Sequence, residues 1–185
     1  MTTLLTAPEI AKVERLNTAS VRRVLEPEEL FDWPSLGSGQ IIPDELLSVA
    51  GLDLDLTSEQ KATLSREEVA SMLTIGIHFE AALMAGFSLQ IANTGDVGDP
   101  RITYMLHEMG EETRHSRAFA RLVRELDPQA VNPFTKGLPG TVQRRVMWSV
   151  IKSPAMLYVM VLAGEDHHVE PVSYTHLTLP TTERV

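Results

Sequence analysis

The chain contains no cysteine among its 185 residues. This absence excludes disulfide bonds, thiolate zinc sites, iron–sulfur clusters and a cysteine nucleophile. Any metal that the chain binds must therefore be held by histidine and carboxylate side chains. Aromatic residues are scarce as well, at 5%, whereas hydrophobic residues make up 43% of the sequence. That balance suits helix packing better than a β-sandwich, so we expect an all-α fold.

Basic residues are outnumbered, with 16 Lys and Arg against 25 Asp and Glu and a formal charge of −9. A surface of this sign repels phosphate backbones and anionic lipid headgroups, so we expect no nucleic-acid partner and no membrane partner. The N-terminus lacks the basic and then apolar stretch of a secretion signal. The longest apolar run, Ala155 to Gly164, is about half a membrane span. These absences predict a soluble, cytoplasmic protein.

The length suits a single domain, in which a first long helix is indicated by hydrophobic periodicity. This helix is predicted to open at a capping box at residues 65–68 and to run for about 28 residues. One of its faces is formed by Val69, Leu73, Gly76, Glu80, Leu83, Phe87 and Ile91. Such a face is typical of a helix packed against a core.

A second long helix is predicted to follow, with Asp99 as its N-cap, Pro100 at the first helical position and an end before Asp127. Its seam is that of a helix packed lengthwise on a neighbour. The seam residues are Ile102, Met105, Met109, Glu112, Ser116, Phe119, Val123 and Leu126. Shorter helices are predicted at residues 6–24, 43–49, 141–151 and 155–163.

Two acidic residues fall on these apolar faces, Glu80 on the first and Glu112 on the second, with His115 one turn beyond Glu112. An ionised carboxylate in an apolar seam is costly unless it has a partner or a metal. A Glu from one helix and a Glu-x-x-His turn from the next form half of a carboxylate-bridged di-iron centre in helical bundles. We therefore predict these three residues as metal ligands, with Glu165 as a fourth from a later helix.

Simpler interpretations stand beside this one. A Glu-x-x-His turn is common on exposed helices that bind no metal. The zinc-protease motif His-Glu-x-x-His is absent, because no histidine follows the pair His107 and Glu108 at the required spacing. Glu111 lies beside the seam and is predicted to be a solvated acid or the partner of a ligand histidine. Arg114 and Arg117 are predicted to pair with neighbouring acids.

Glu112 lies 32 residues after Glu80, within the sequence EETRH at residues 111–115. This arrangement resembles the signature of the di-iron N-oxygenases related to the p-aminobenzoate N-oxygenase of aureothin biosynthesis, and the resemblance extends from the Asp32 region to Glu165. It implies a ferritin-like bundle, often dimeric, whose two iron ions serve the oxidation of an aryl amine towards a hydroxylamine or nitro product. By position, Glu80, Glu112, His115 and Glu165 correspond to iron ligands.

The chain departs from the family pattern near its C-terminus, because it lacks a second cluster with a His and another Glu-x-x-His. Helical periodicity stops after Glu170, and Val172 to Thr181 match the translation of a transposon-end adapter used in sequencing libraries. We therefore expect residues 1–170 to be a partial, C-terminally truncated ferritin-like di-iron oxygenase domain and residues 171–185 to be a non-native tail. His176 is given no role. Ordinary genomic sequence through these codons would contradict this expectation.

The expected function, that of the full-length parent protein, is a di-iron oxygenase which uses dioxygen as co-substrate to oxidise a small molecule, with N-oxygenation of an aryl amine as the reaction implied by the resemblance. As an incomplete fragment, the present chain is expected to be inactive by itself. The expected cofactors are two iron ions, with manganese as the alternative metal. An external electron donor is the expected partner, and a homodimer is one expected state. The alternatives are another ferritin-like enzyme, such as a desaturase or hydroxylase, and a metal-free helical interaction protein.

Overall fold

The computed structural model describes residues 5–22, 24, 26–133, 136–153, 155 and 159. All regular structure within these residues is helical, which confirms the all-α prediction. The α-helices are α1 (Ala7–Arg22), α2 (Pro27–Leu30), α3 (Ser58–Ala92), α4 (Pro100–Leu126) and α5 (Gly140–Lys152). Helices α1 and α2 contact α4, α5 contacts α3, and α3 and α4 share the most extensive interface.

The core lies along an antiparallel hairpin formed by α3 and α4. Near one end, Ala70 of α3 packs with Leu122 and Leu126 of α4. Near the other end, Leu83 and Phe87 of α3 pack with partly buried methionines of α4. The two apolar clusters thus lie on either side of the middle of the hairpin. Glu80 and Glu112 lie between them.

The start of α3 differs from the prediction. The helix begins seven residues before the predicted capping box, because Thr57 is its N-cap and forms a reciprocal capping box with Gln60. Ser65, predicted as a cap, is instead fully buried inside the helix. Its hydroxyl donates to the carbonyl oxygen of Ala62 and accepts a hydrogen bond from the backbone N–H of Ile41. The serine therefore connects the helix to the preceding segment.

Replacing Thr57 by Ala is expected to lower the free energy of unfolding by about 1 kcal/mol, because the backbone N–H of Gln60 loses the Thr57 hydroxyl that accepts its hydrogen bond. Urea unfolding followed by circular dichroism measures this loss. Thr63→Ala is the matched control, since Thr63 is exposed within the same helix. An equal loss in both variants would show that the cap contributes nothing specific.

The irregular connection between α2 and α3 packs on the first apolar cluster. Among the residues that contact this cluster are Phe31, Trp33 and Ile41. The predicted helix at residues 43–49 is wrong in extent, since only a 3-10 turn, Asp44–Leu46, forms there. Pro43 provides the start of that turn, and a second 3-10 turn lies at Trp33–Leu36.

The remaining helical predictions are confirmed where the structure describes the chain. Asp99 caps α4 by accepting a hydrogen bond from the backbone N–H of Arg101, and Pro100 occupies the first helical position as predicted. Helices α1 and α5 form within two residues of the predicted bounds. The predicted helix at residues 155–163 lies outside the described residues, apart from positions 155 and 159.

Helix α3 is long and apolar enough to cross a membrane when judged by length and composition alone. The core helix of a soluble protein meets the same two criteria. These properties therefore do not distinguish the two kinds of helix. The location of Glu80 on the face that packs against α4 is the more informative feature of α3.

Candidate metal centre

Two helices bring three potential ligands together at the middle of the hairpin. Glu80 comes from α3, whereas Glu112 and His115 come from one turn of α4, where a spacing of three residues places them on the same side. One ligand atom from each residue lies within 4.8 Å of the other two. In the portion of the chain that is described, this is the one group of at least three such residues that could hold a metal ion.

The three side chains are arranged around the imidazole ring. Nδ1 of His115 lies 3.1 Å from Oε2 of Glu112 and 3.8 Å from Oε1 of Glu80. The glutamate side chains are only 11% and 14% exposed, whereas that of His115 is 44% exposed. The carboxylates thus lie on the buried side of the cluster and the histidine on its open side.

One buried atom of the cluster lacks a partner. Oε2 of Glu80 has no hydrogen bond from any of the residues that the structure describes. A buried oxygen without a partner costs free energy, and a cation would remove this cost. The donor set of two carboxylates and one imidazole suits Fe²⁺ or Mn²⁺. On both counts, the residues present fit the metal that the sequence predicted.

The protonation of the cluster follows from this burial. Burial, reinforced by the hydrogen bond and negative charge of Glu112, raises the pKa of Glu80 to about 9. Burial also acts to raise the pKa of Glu112, but hydrogen bonds from His115 and Glu80 outweigh it and lower that pKa. The hydrogen bond to Glu112 outweighs burial and raises the pKa of His115. At neutral pH the metal-free cluster therefore keeps a proton on Glu80.

The other polar residues singled out in the sequence lie outside this cluster. Glu111 pairs with Arg114 at 2.5 Å, and Arg117 pairs with Glu26 at 2.6 Å, which confirms that both arginines pair with acids. The structure thus favours an ion pair for Glu111 over contact with the ligand histidine. Glu165 falls outside the described residues, so its assignment as a fourth ligand stays a prediction.

One contact at the site was not anticipated from the sequence. The ring of Phe119 stacks on the ring of His115 and also lies against Gly76 of α3. Both Phe119 and Gly76 were placed on seams by periodicity. Their spacing gave no signal that they meet beside a ligand, because that contact depends on the register between the two helices.

Comparison with known proteins identifies the family. The family model described as p-aminobenzoate N-oxygenase AurF matches residues 8–169 of the chain. The chain belongs to this family. The resemblance seen in residues 111–115 is therefore confirmed, and the family match extends further towards the N-terminus than the Asp32 region. Glu80, Glu112, His115 and Glu165 all lie within the AurF family match.

Mycobacterial proteins align with most of the chain. Uncharacterised proteins from two strains of Mycobacterium tuberculosis and one of Mycobacterium bovis are each 26% identical to the chain over 187 aligned residues. The alignments cover 91% of the chain and 50% of each relative, so the AurF family chain spans about half the length of the curated relatives it matches. No solved structure matches it significantly.

Proposed function

We propose that the protein acts as a di-iron oxygenase, with N-oxygenation of an aryl amine as its reaction. The observation that carries this proposal is the convergence of Glu80, Glu112 and His115 on one point, with one buried carboxylate oxygen left without a partner. Membership of the AurF family supports the reaction type, since N-oxygenation is what the family's name describes.

The three side chains would hold one iron ion and contribute to a bridged pair. Bundle proteins of this kind use a Glu from each of two helices and a Glu-x-x-His turn from each of two others. The cluster supplies one Glu and one such turn. The remaining ligands have to come from outside the described residues, and Glu165 is proposed as one of them. When bound, the iron pair would supply the reducing equivalents and open positions with which dioxygen is activated.

The residues of the chain have three tasks in this proposal. Glu112 and His115 hold a fixed separation because they occupy one turn of one helix. The apolar cluster around Ala70 keeps water away from one end of the hairpin seam. Glu80 releases its proton when a metal binds, so the charge of the buried carboxylate is balanced by the cation. The substrate would be a small aryl amine, and an external donor would reduce the iron.

The test loads the full-length protein with Fe²⁺, and in parallel with Mn²⁺ or Co²⁺, under argon, removes unbound metal, and counts the metal that remains. The loaded protein is then given a reductant, dioxygen and either p-aminobenzoate or benzoate, and the products are identified by mass spectrometry. We expect bound iron and oxygen addition to p-aminobenzoate alone. Ring hydroxylation of both compounds would favour a hydroxylase instead. Absence of bound iron, manganese and cobalt would favour the metal-free interaction protein.

A further inference from the structure

The ring of Phe119 lies between the backbone of α3 and the imidazole of His115. Phe119 follows His115 by one turn on α4, and the two ring centroids are 6.3 Å apart with an interplanar angle of 22°. On its other side the phenyl ring reaches Gly76 so closely that an added Cβ there would lie 3.1 Å from Cε2 and 3.2 Å from Cδ2. The glycine therefore creates the space that the ring occupies.

Among the described residues, hydrogen bonds hold only one side of the imidazole. Ligand histidines usually donate their second ring N–H to a carboxylate or a backbone carbonyl, and this hydrogen bond fixes the ring orientation. Among the described residues, His115 has a hydrogen bond at Nδ1, to Glu112, and none at Nε2. Its side chain is 44% exposed, so packing on the solvent side does not fix the ring. Within the described residues, the stacked phenyl ring of Phe119 is the aromatic contact that the imidazole makes.

We propose that Phe119, seated against Gly76, is a positioning residue that orients the imidazole of His115 for metal binding. The inference rests on the proposed function, because it concerns the same ligand. It also explains a glycine in the middle of a long helix, where glycine is the poorest former apart from proline. Phe119 takes the place of the hydrogen bond that normally orients a ligand histidine.

Two variants test the role of the Phe119 ring in Co²⁺ binding. Calorimetry measures the affinity, and the d–d absorption of the bound ion reports its coordination geometry. Phe119→Leu keeps an apolar side chain but removes the ring, and we expect about tenfold weaker Co²⁺ binding with a changed spectrum. Gly76→Ala keeps the ring but displaces it by a few tenths of an ångström, and we expect a smaller loss in the same direction.

Matched controls separate positioning from general packing. Phe87→Leu removes a ring from the buried cluster that contains Leu83, and Gly110→Ala adds a Cβ that would make only ordinary contacts with Arg114. We expect both to bind Co²⁺ with wild-type affinity. Equal weakening in Phe87→Leu and Phe119→Leu, or wild-type affinity in Phe119→Leu, would overturn the proposal.

A metal-free measurement makes the inference independent of the proposed function. In the wild-type protein we expect nuclear Overhauser effects between the ring protons of Phe119 and His115, and we expect Gly76→Ala to shift the His115 ring resonances while Gly110→Ala leaves them unchanged. If the wild-type protein binds no Co²⁺, the proposed function fails and these resonances alone decide the positioning role. Identical His115 resonances in wild type and Gly76→Ala would refute it.

Discussion

Glu112→Ala is expected to abolish specific binding of Fe²⁺, Mn²⁺ and Co²⁺, with an affinity at least about 100-fold lower than that of the wild type. Loss of an outer partner of a ligand costs 10- to 100-fold, and loss of a ligand costs more. Glu112 has two functions in the cluster, because it supplies an oxygen to the metal and accepts a hydrogen bond from His115. The substitution therefore removes one ligand and releases another. Calorimetry with Co²⁺ measures the loss.

Glu111→Ala is the matched control for this experiment. It removes the same charge from the adjacent position of α4, but Glu111 pairs with Arg114 and lies outside the cluster. We expect wild-type metal binding in this variant, and circular dichroism shows whether both variants keep their helices. A similar loss of affinity in the two variants would mean that metal binding depends on the total negative charge of α4 and not on Glu112 as a ligand. If neither the wild type nor the variants bound metal, the metal site would be contradicted, and Glu112 and His115 would form only an ion pair.

In the metal-free protein, stability is expected to fall by roughly 1.4 kcal/mol per pH unit between pH 6 and pH 8, owing to Glu80. Its pKa is about 9 in the folded protein against an ordinary 4.5, so above pH 4.5 the folded state holds a proton that the unfolded chain has released. A raised carboxyl pKa therefore favours folding at low pH, and this advantage is lost as the pH rises towards 9. Urea unfolding in the presence of a chelator measures the slope.

Glu80→Gln is expected to remove this part of the slope, because the amide is neutral at every pH and resembles the protonated carboxyl in shape. The raised pKa of His115 contributes a separate loss of stability as the pH rises through its folded value, and that part should persist in the variant. Glu112 acts in a different range, since its lowered pKa gives stability that is lost only in acid. Glu67→Gln, on the exposed side of α3, should keep the wild-type slope. A wild-type slope in Glu80→Gln would refute the assignment.

Local signals predicted most of the fold. The pair Asp99 and Pro100 identified the start of α4 because the cap and the fixed proline angle act within a few residues of each other. The predicted start of α3 was wrong because the sequence contains two capping patterns, one at Thr57 and Gln60 and one at residues 65–68. Thr57 is the N-cap in the structure, and the residues between the two patterns are helical. Ser65 then serves a contact with Ile41 that no local pattern reveals.

The candidate site was predictable to the extent that it depends on helical periodicity. Seam positions placed Glu80 and Glu112 on facing sides of two helices, and in the structure their ligand atoms lie close together as that pattern requires. Periodicity does not specify the axial register between helices, so it could not show that Phe119 reaches Gly76. The pKa of Glu80 was equally hidden, because it depends on the depth of burial and on the distance to Glu112.

The short link between α3 and α4, residues 93–99, has a consequence for the order of folding. Because the two ligand-bearing helices are neighbours in the chain, closing the hairpin costs little loop entropy, and contacts of this kind form early. The first three ligands can therefore assemble before distant segments arrive. Because Glu80 is protonated at neutral pH, the hairpin can form without burying an unpaired charge. The hairpin can therefore act as a folding nucleus that binds its metal later.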